Sequence, residues 1–374
     1  LRSMRVGIFA AGLMAMTPFF CRWASSGYVD VPGSFYFALT AVFAWYWSRD
    51  GGNRNAILTG IAAGLAMWTK NDALVLLVSL GIWIGLNLWT AKINGKQIAL
   101  SAVAILLTAA PWYIRSVIVS HHIKPLGIWT WAVQHNFARL LIMTSTWKDF
   151  GLTGFLFTAA IILAAIQIVR TADFQSRTVW GMLFIMVIPF YGAWWWFANY
   201  DVRFLVMIVP LLAVMAGLML DDLVIYLKNH ASATWVTRAN WIAICCVLVW
   251  APLSIRKAVN YKGTILTRPF LSDAEKHRVV LGGMYDLATT MNHLPTGSRI
   301  IGVPSMALYH VDLTRFGKVS NEKVNVPPNE FLNRYDYAAY KFADGQRPGW
   351  SRQGQPLLQT PDGYLLFAVR QNGL

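Results

Sequence analysis

The stretch GIAAGLAMWTKNDALVLL, residues 60–77, decides how this chain folds. From Ala56 to Trp89 the apolar run is interrupted as a block only at Lys70, Asn71 and Asp72. A membrane-crossing helix needs about 20 mainly apolar residues. The stretch is therefore read as two helices joined in a hairpin by a tight polar turn. Working outward, comparable runs occur at 5–21, 33–48, 55–69, 73–90, 98–115, 151–169, 178–196, 203–220 and 239–255. The pattern predicts an all-α polytopic membrane domain over residues 1–255 with about nine crossings.

Composition agrees. Of 374 residues, 56% are hydrophobic and only 13% charged, whereas soluble domains carry about 25% charged residues. Mean hydropathy is +0.45. The 18 Trp, 20 Phe and 14 Tyr suit membrane–water interfaces, where amphipathic aromatics gather. This excludes a disordered chain and an ordinary soluble enzyme. The net charge of +15 raises nucleic-acid binding, but the basic residues sit in short gaps between apolar runs and form no strong patch. No nucleic-acid partner is expected. Cys21, Cys245 and Cys246 lie in or beside apolar runs and lack zinc-ligand spacing.

The Lys/Arg bias of the loops sets the orientation. With a cytoplasmic N-terminus, the cytoplasmic segments hold ten Lys/Arg and the opposite side seven. Nine crossings then place the C-terminal region on the outer face. That region, residues 256–374, has no spanning run. AEKHRVVLGGMYDLATTMNHLP has helical spacing, SRIIGV reads as a strand, and MALYHV as a second helix or strand. Apolar runs around Pro361-Asp362-Gly363 signal a hairpin. A small extracytoplasmic α/β or α+β domain is expected there.

Ionisable groups in so apolar a chain are the informative residues, and four clusters fall on the predicted outer side. Asp30 precedes a Pro and a spanning helix; it suits a helix cap, or a carboxylate that holds a cation or a sugar. Lys70 and Asp72 occupy the hairpin turn; they suit an interfacial turn with a snorkelling lysine, or neutralisation of a lipid phosphate. A long outer loop carries His121, His122, His135, Asn136 and Arg139 with Trp129, Trp131 and Trp147. Loops this long are usually functional. IWTWAVQHNFARLLIM reads as an amphipathic interfacial segment, on which His135 and Arg139 share a helical face. Tyr200, Asp201 and Arg203 precede a late spanning run; they flank the membrane, or Arg203 grips a phosphate bidentately.

The ordered set TPFFCRWASSGYVDVPGSFYFAL (17–39), GIAAGLAMWTKNDALVLL (60–77), APWYIR (110–115), HNFAR (135–139) and YDVRFLVMIVPLLAVMAG (200–217) resembles the GT-C fold glycosyltransferases that use polyprenyl-phosphate sugars. The likeness is to the bacterial dolichyl-phosphate-mannose-protein mannosyltransferase-like and aminoarabinose-transferase-like families, and it covers roughly residues 1–255. It implies a cavity at the outer surface of the bacterial cytoplasmic membrane. A polyprenyl-phosphate-linked sugar enters it from the membrane lipid and an envelope acceptor from the aqueous side. Asp30 matches the family's second acidic position, linked to metal or substrate binding, so a divalent cation is one cofactor to test for. Lys70 matches the lysine of its GLAxLTK stretch. Arg139 and Arg203 match basic positions suited to phosphate, with Asp72, His135, Asn136, Tyr200 and Asp201 completing the expected substrate-binding set. The family's principal catalytic carboxylate lies in a first outer loop that nothing here matches. Together with a start at Leu1, this leads us to expect earlier helices upstream, carrying the base. The rival readings are a transporter or flippase for lipid-linked sugars, which would show paired halves or broken helices around a midplane site, and a non-catalytic membrane partner in envelope assembly.

Overall fold

The computed structural model describes residues 3–24, 29–88, 93–120, 133–230 and 270–369, apart from 134, 172, 305–306, 321–333 and 342–355, with scattered positions between 237 and 256. The chain divides into two compact units, Leu1–Tyr261 and Lys262–Leu374.

The first unit is helical: α1 (Met4–Met16), α2 (Pro18–Ala24), α3 (Asp30–Asp50), α4 (Asn53–Thr69), α5 (Val75–Leu88), α6 (Gly95–Ser120), the short α7 (Ile142–Ser145) and α8 (Trp147–Phe150), α9 (Leu152–Arg170), α10 (Phe174–Phe197) and α11 (Val209–His230). A helix lies over each of the first eight apolar runs. Among the described residues, however, only five stretches are long and apolar enough to cross a membrane: Asn71–Leu88, Gly95–Ile118, Leu152–Arg170, Ser176–Phe197 and Val202–His230. The bent pair α1–α2 makes a sixth if counted as one span. The expected nine is corrected accordingly. α4 has 17 residues, and α3 buries Asp30, Ser34, Thr40 and Ser48 along one flank, which lowers its hydropathy. Most of 239–255 lies outside the described residues. The 77° bend between α1 and α2 falls at Thr17-Pro18. Proline disfavours a helical residue before it, and Thr17 is extended at φ −85°, ψ 105°.

The predicted hairpin of 56–89 is also revised. α4 packs on α3 and α6, while α5 lies against α10. The hairpin partner of α4 is α3, joined to it through Gly51 and Gly52, both at positive φ. Close packing of α4 on α6 follows from glycines four apart. A Cβ on Gly60 would lie 2.3 Å from the Ser101 carbonyl oxygen, and one on Gly64 would lie 1.7 Å from Thr108 Oγ1. Small residues at this spacing let helix backbones approach in membranes. α11 lies at the centre, with Leu212, Ala213, Met215 and Ala216 fully buried.

The second unit has α12 (Asp273–Leu281) and α13 (Gly283–Asn292) with β1 (Arg299–Ile301), β2 (Lys318–Val319), β3 (Tyr337–Lys341), β4 (Leu358–Gln359) and β5 (Tyr364–Ala368). The strands form one mixed sheet in the order β2-β1-β3-β5-β4, with β1 parallel to β2 and β3, and β5 antiparallel to β3 and β4. The single helix expected at 274–295 is two, divided at Gly282, and Ala307–His310 is a 3₁₀ turn. The hairpin at 361–363 is present as β4–β5. One apolar cluster joins Leu287, Ala288 and Met291 of α13 to Ile300, Ala339 and Leu366 of the sheet.

Candidate functional site

The two polar turns and the start of α3 meet. Asp30 is the first residue of α3, and Val29 before it caps nothing with its side chain. Pro32 in the first turn suits a helix start, since its missing N–H would be unpaired there anyway. The Asp30 carboxylate is not spent on capping. One oxygen accepts a hydrogen bond from the Lys70 ammonium; the other lies 4.0 Å from Arg203 Nε, an ion pair too long for a hydrogen bond. Side-chain exposure is 2% for Asp30 and 12% for Lys70, so this is a buried pair rather than a snorkelling lysine.

Lys70 reaches Asp30 because helix α4 stops at Thr69. Lys70 itself is extended (φ −154°, ψ 130°), and the 3₁₀ turn Asn71–Leu74 follows. That turn brings Asp72 Oδ2 to 3.0 Å from Lys70 Nζ, and Asn71 accepts a hydrogen bond from Trp112 Nε1 of α6 at 3.2 Å. From the far side of the sequence, Asp201 caps the 3₁₀ helix Val202–Ile208 by accepting from Arg203 N–H at 2.8 Å. It also pairs with the Arg203 guanidinium at 3.6 Å. Phe204 lies beneath both cations, its ring centre 4.5 Å from Lys70 Nζ and 5.7 Å from Arg203 Cζ.

Three groups join this cluster that the sequence did not single out. Trp23 on α2 faces Arg203 at 5.3 Å and Arg22 at 5.1 Å. Arg22 in turn pairs at 3.4 Å with buried Asp149 of α8. Their only signal was position: Arg22 and Trp23 sit eight and seven residues before Asp30 in the same stretch. Asp149 was hidden because the pairing joins two segments more than a hundred residues apart.

The residues of the segment before α7 form a second group. Asn136 caps the 3₁₀ helix Phe137–Leu141 by accepting from Ala138 N–H at 2.8 Å. His135 precedes that helix, so the expected shared helical face with Arg139, which lies within it, does not form. His135 hydrogen-bonds the Trp196 carbonyl at 3.1 Å, and its ring lies 4.7 Å from that of Trp196. Trp195 Nε1 donates to the Asn136 carbonyl at 3.1 Å. The segment is thus strapped to the tryptophan-rich end of α10. That end adjoins the first cluster, because Trp194 Nε1 donates to the Asp201 carbonyl at 3.0 Å, and Tyr200 sets its ring edge-on to Phe204 at 6.1 Å. His121, His122, Trp129 and Trp131 lie outside the described residues.

Asp30, Asp72 and Asp201 against Lys70 and Arg203 leave the ion-pair chain one negative charge in excess. A divalent cation fits poorly here. Asp30 already faces two cations, and among the described residues no group of three or more His, Cys, Asp or Glu is placed to hold a metal. The arrangement instead holds a lysine and an arginine side by side over one aromatic ring, each oriented by carboxylates.

These features define a mostly helical membrane protein with a small C-terminal sheet unit. Comparison with family models, with curated proteins and with solved structures returns no match.

Proposed function

We propose that this chain belongs to a glycosyltransferase that moves a sugar from a polyprenyl-phosphate donor to an envelope acceptor at the outer face of a bacterial cytoplasmic membrane. The observation that carries the proposal is the convergence of Lys70 and Arg203 on Asp30 over Phe204. An inverting transfer expels polyprenyl phosphate, and the negative charge that grows on the departing oxygen needs preorganised cations. Lys70 supplies a point charge and Arg203 a planar fork suited to phosphate oxygens. Asp30 is the positioning residue that holds both in place. The base that takes the acceptor's proton is assigned to no residue of this chain. The ordered motifs of residues 17–217 support the same reading.

The test uses membranes containing the full chain and a panel of labelled polyprenyl-phosphate sugars, with release of the lipid phosphate as the readout. Release coupled to labelling of an envelope component is expected. Lys70→Ala and Arg203→Ala should abolish it while leaving membrane insertion intact. Movement of the labelled lipid across the bilayer without release would replace the proposal with a transporter.

A further inference from the structure

Pro18 swings α2 off the α1 axis by 77°, and α2 then packs against α3, α8 and the 3₁₀ helix Val202–Ile208. Phe19 anchors it, with its ring centre 5.2 Å from that of Phe150. Arg22 and Trp23 are carried into place with it. Trp23 is thereby shared by two guanidiniums, with Arg22 Cζ at 5.1 Å and Arg203 Cζ at 5.3 Å from its ring centre. Phe204 is shared in the same way by Arg203 and Lys70. The three cations therefore form a row, Lys70, Arg203 and Arg22, with one aromatic ring shared by each neighbouring pair. Each has its own carboxylate: Asp30 for Lys70, Asp201 for Arg203, and Asp149 for Arg22 at 3.4 Å. Side-chain exposure rises along the row, from 12% at Lys70 through 27% at Arg203 to 38% at Arg22. Lys70 is the inner end of the row and Arg22 the outer end.

We propose that Arg22 is the capture residue of the Lys70–Arg203 site: it draws in the phosphate of the lipid-linked donor and sets how fast that phosphate arrives, without acting on its departure. The proposal rests on the transferase reading above. A charge at the open rim of a site steers an incoming ion and changes its association rate, whereas a desolvated, paired charge changes dissociation. Arg22 is at the rim and Lys70 is desolvated, so the two roles fall to opposite ends of one row. Asp149 is buried while Arg22 keeps more than a third of its side chain in reach of solvent. The carboxylate thus fixes the arginine without withdrawing it from the surface. A guanidinium stacked on an aromatic face still bonds in its own plane, which is where it meets phosphate oxygens.

The experiment is stopped-flow binding of farnesyl phosphate, a soluble short-chain polyprenyl phosphate, to the full chain in lipid nanodiscs, read by tryptophan fluorescence at low and high salt. Arg22→Gln combined with Asp149→Asn removes the pair without orphaning a buried charge. In this double variant the association rate constant should fall on the order of tenfold at low salt, with the dissociation rate unchanged. The deficit should close at about 1 M salt, where screening leaves a Debye length of about 3 Å. Arg22→Lys keeps the charge and should keep most of the association rate. Arg170→Gln removes an exposed charge at the opposite end of α9 from Asp149, about 27 Å along the helix, and should change nothing. A double variant that associates at the wild-type rate, a deficit that persists at high salt, or an equal deficit in Arg22→Lys overturns the proposal and leaves the transferase reading standing. Absence of saturable binding to the wild-type chain removes both.

Discussion

Lys70 and Asp30, forty positions apart, form a buried ion pair between the end of α4 and the start of α3. Removing one partner of a buried pair leaves an uncompensated charge, at a cost of about 3–5 kcal/mol, whereas replacing both is far milder. Asp30→Leu should therefore lower the melting temperature in detergent more than Asp30→Leu combined with Lys70→Met. A double variant that loses the sum of both single losses would show that the two side chains are uncoupled.

Arg203 is held between Trp23 and Phe204 as well as by carboxylates. A lysine keeps the charge but loses the flat face and the fork. Arg203→Lys should leave membrane insertion intact and cut lipid-phosphate release severalfold or more, through both KM and kcat. Trp23→Leu should give a smaller loss in the same direction. Wild-type turnover in Arg203→Lys would mean that only charge is needed there.

The two glycines of α4 make separable predictions. A Cβ on Gly64 meets the Thr108 hydroxyl first, whereas one on Gly60 meets the Ser101 backbone carbonyl. Overpacking of this kind costs typically 1–3 kcal/mol, about 2 being central. Gly64→Ala should be rescued in part by Thr108→Ala, because the hydroxyl at 1.7 Å is removed while the Thr108 Cβ at 2.8 Å and the Ile105 carbonyl at 3.0 Å stay. Gly60→Ala should not be rescued by Ser101→Ala, because the carbonyl stays. Melting temperatures of the four variants check this, and equal rescue at both sites would contradict the packing described.

In the C-terminal unit, Asp362 sits in the β4–β5 turn. Burial works against its charge but is outweighed by hydrogen bonds from the Thr360 hydroxyl and the Gly283 N–H, with a further pull from Lys341, and its pKa is held below the usual carboxylate value. The unfolded chain therefore takes up a proton before the folded one as pH falls. The stabilising contribution is complete above the unfolded value, about 3.9, and is lost as pH drops through the lower folded value. Acid unfolding followed by amide exchange at Gly283 should show this loss, and Asp362→Asn should flatten it. An unchanged acid profile in that variant would remove Asp362 from the account.

Much of the architecture was open to reading from the residues. Apolar runs locate eight helices, Pro361-Asp362-Gly363 locates a hairpin, and the isolated charges Asp30, Lys70, Asp72, Asp201 and Arg203 stand out from the residues alone. Fewer than nine spans stand among the described residues because α4 has only 17 residues, α3 carries polar Asp30, Ser34, Thr40 and Ser48, and most of 239–255 lies outside them. The 56–89 stretch showed where the chain turns, yet adjacency along the chain did not make α4 and α5 neighbours. Arg22, Trp23 and Asp149 went unmarked because a cation near a membrane end looks alike whether it snorkels or stacks.

What the sequence by itself determined is local. Periodic apolar residues must bury or meet lipid wherever the segment lands, whereas a proline breaks the helix at Thr17-Pro18 yet is carried inside α6 at Pro111 and inside α10 at Pro189. Only the tertiary structure decided which charges meet. Asp30, Lys70 and Arg203 come from three distant segments, and Coulomb attraction in a poorly solvated interior depends steeply on separation and burial. Those distances exist only once α4 has closed on α3 and the turn before α11 has packed beneath them both.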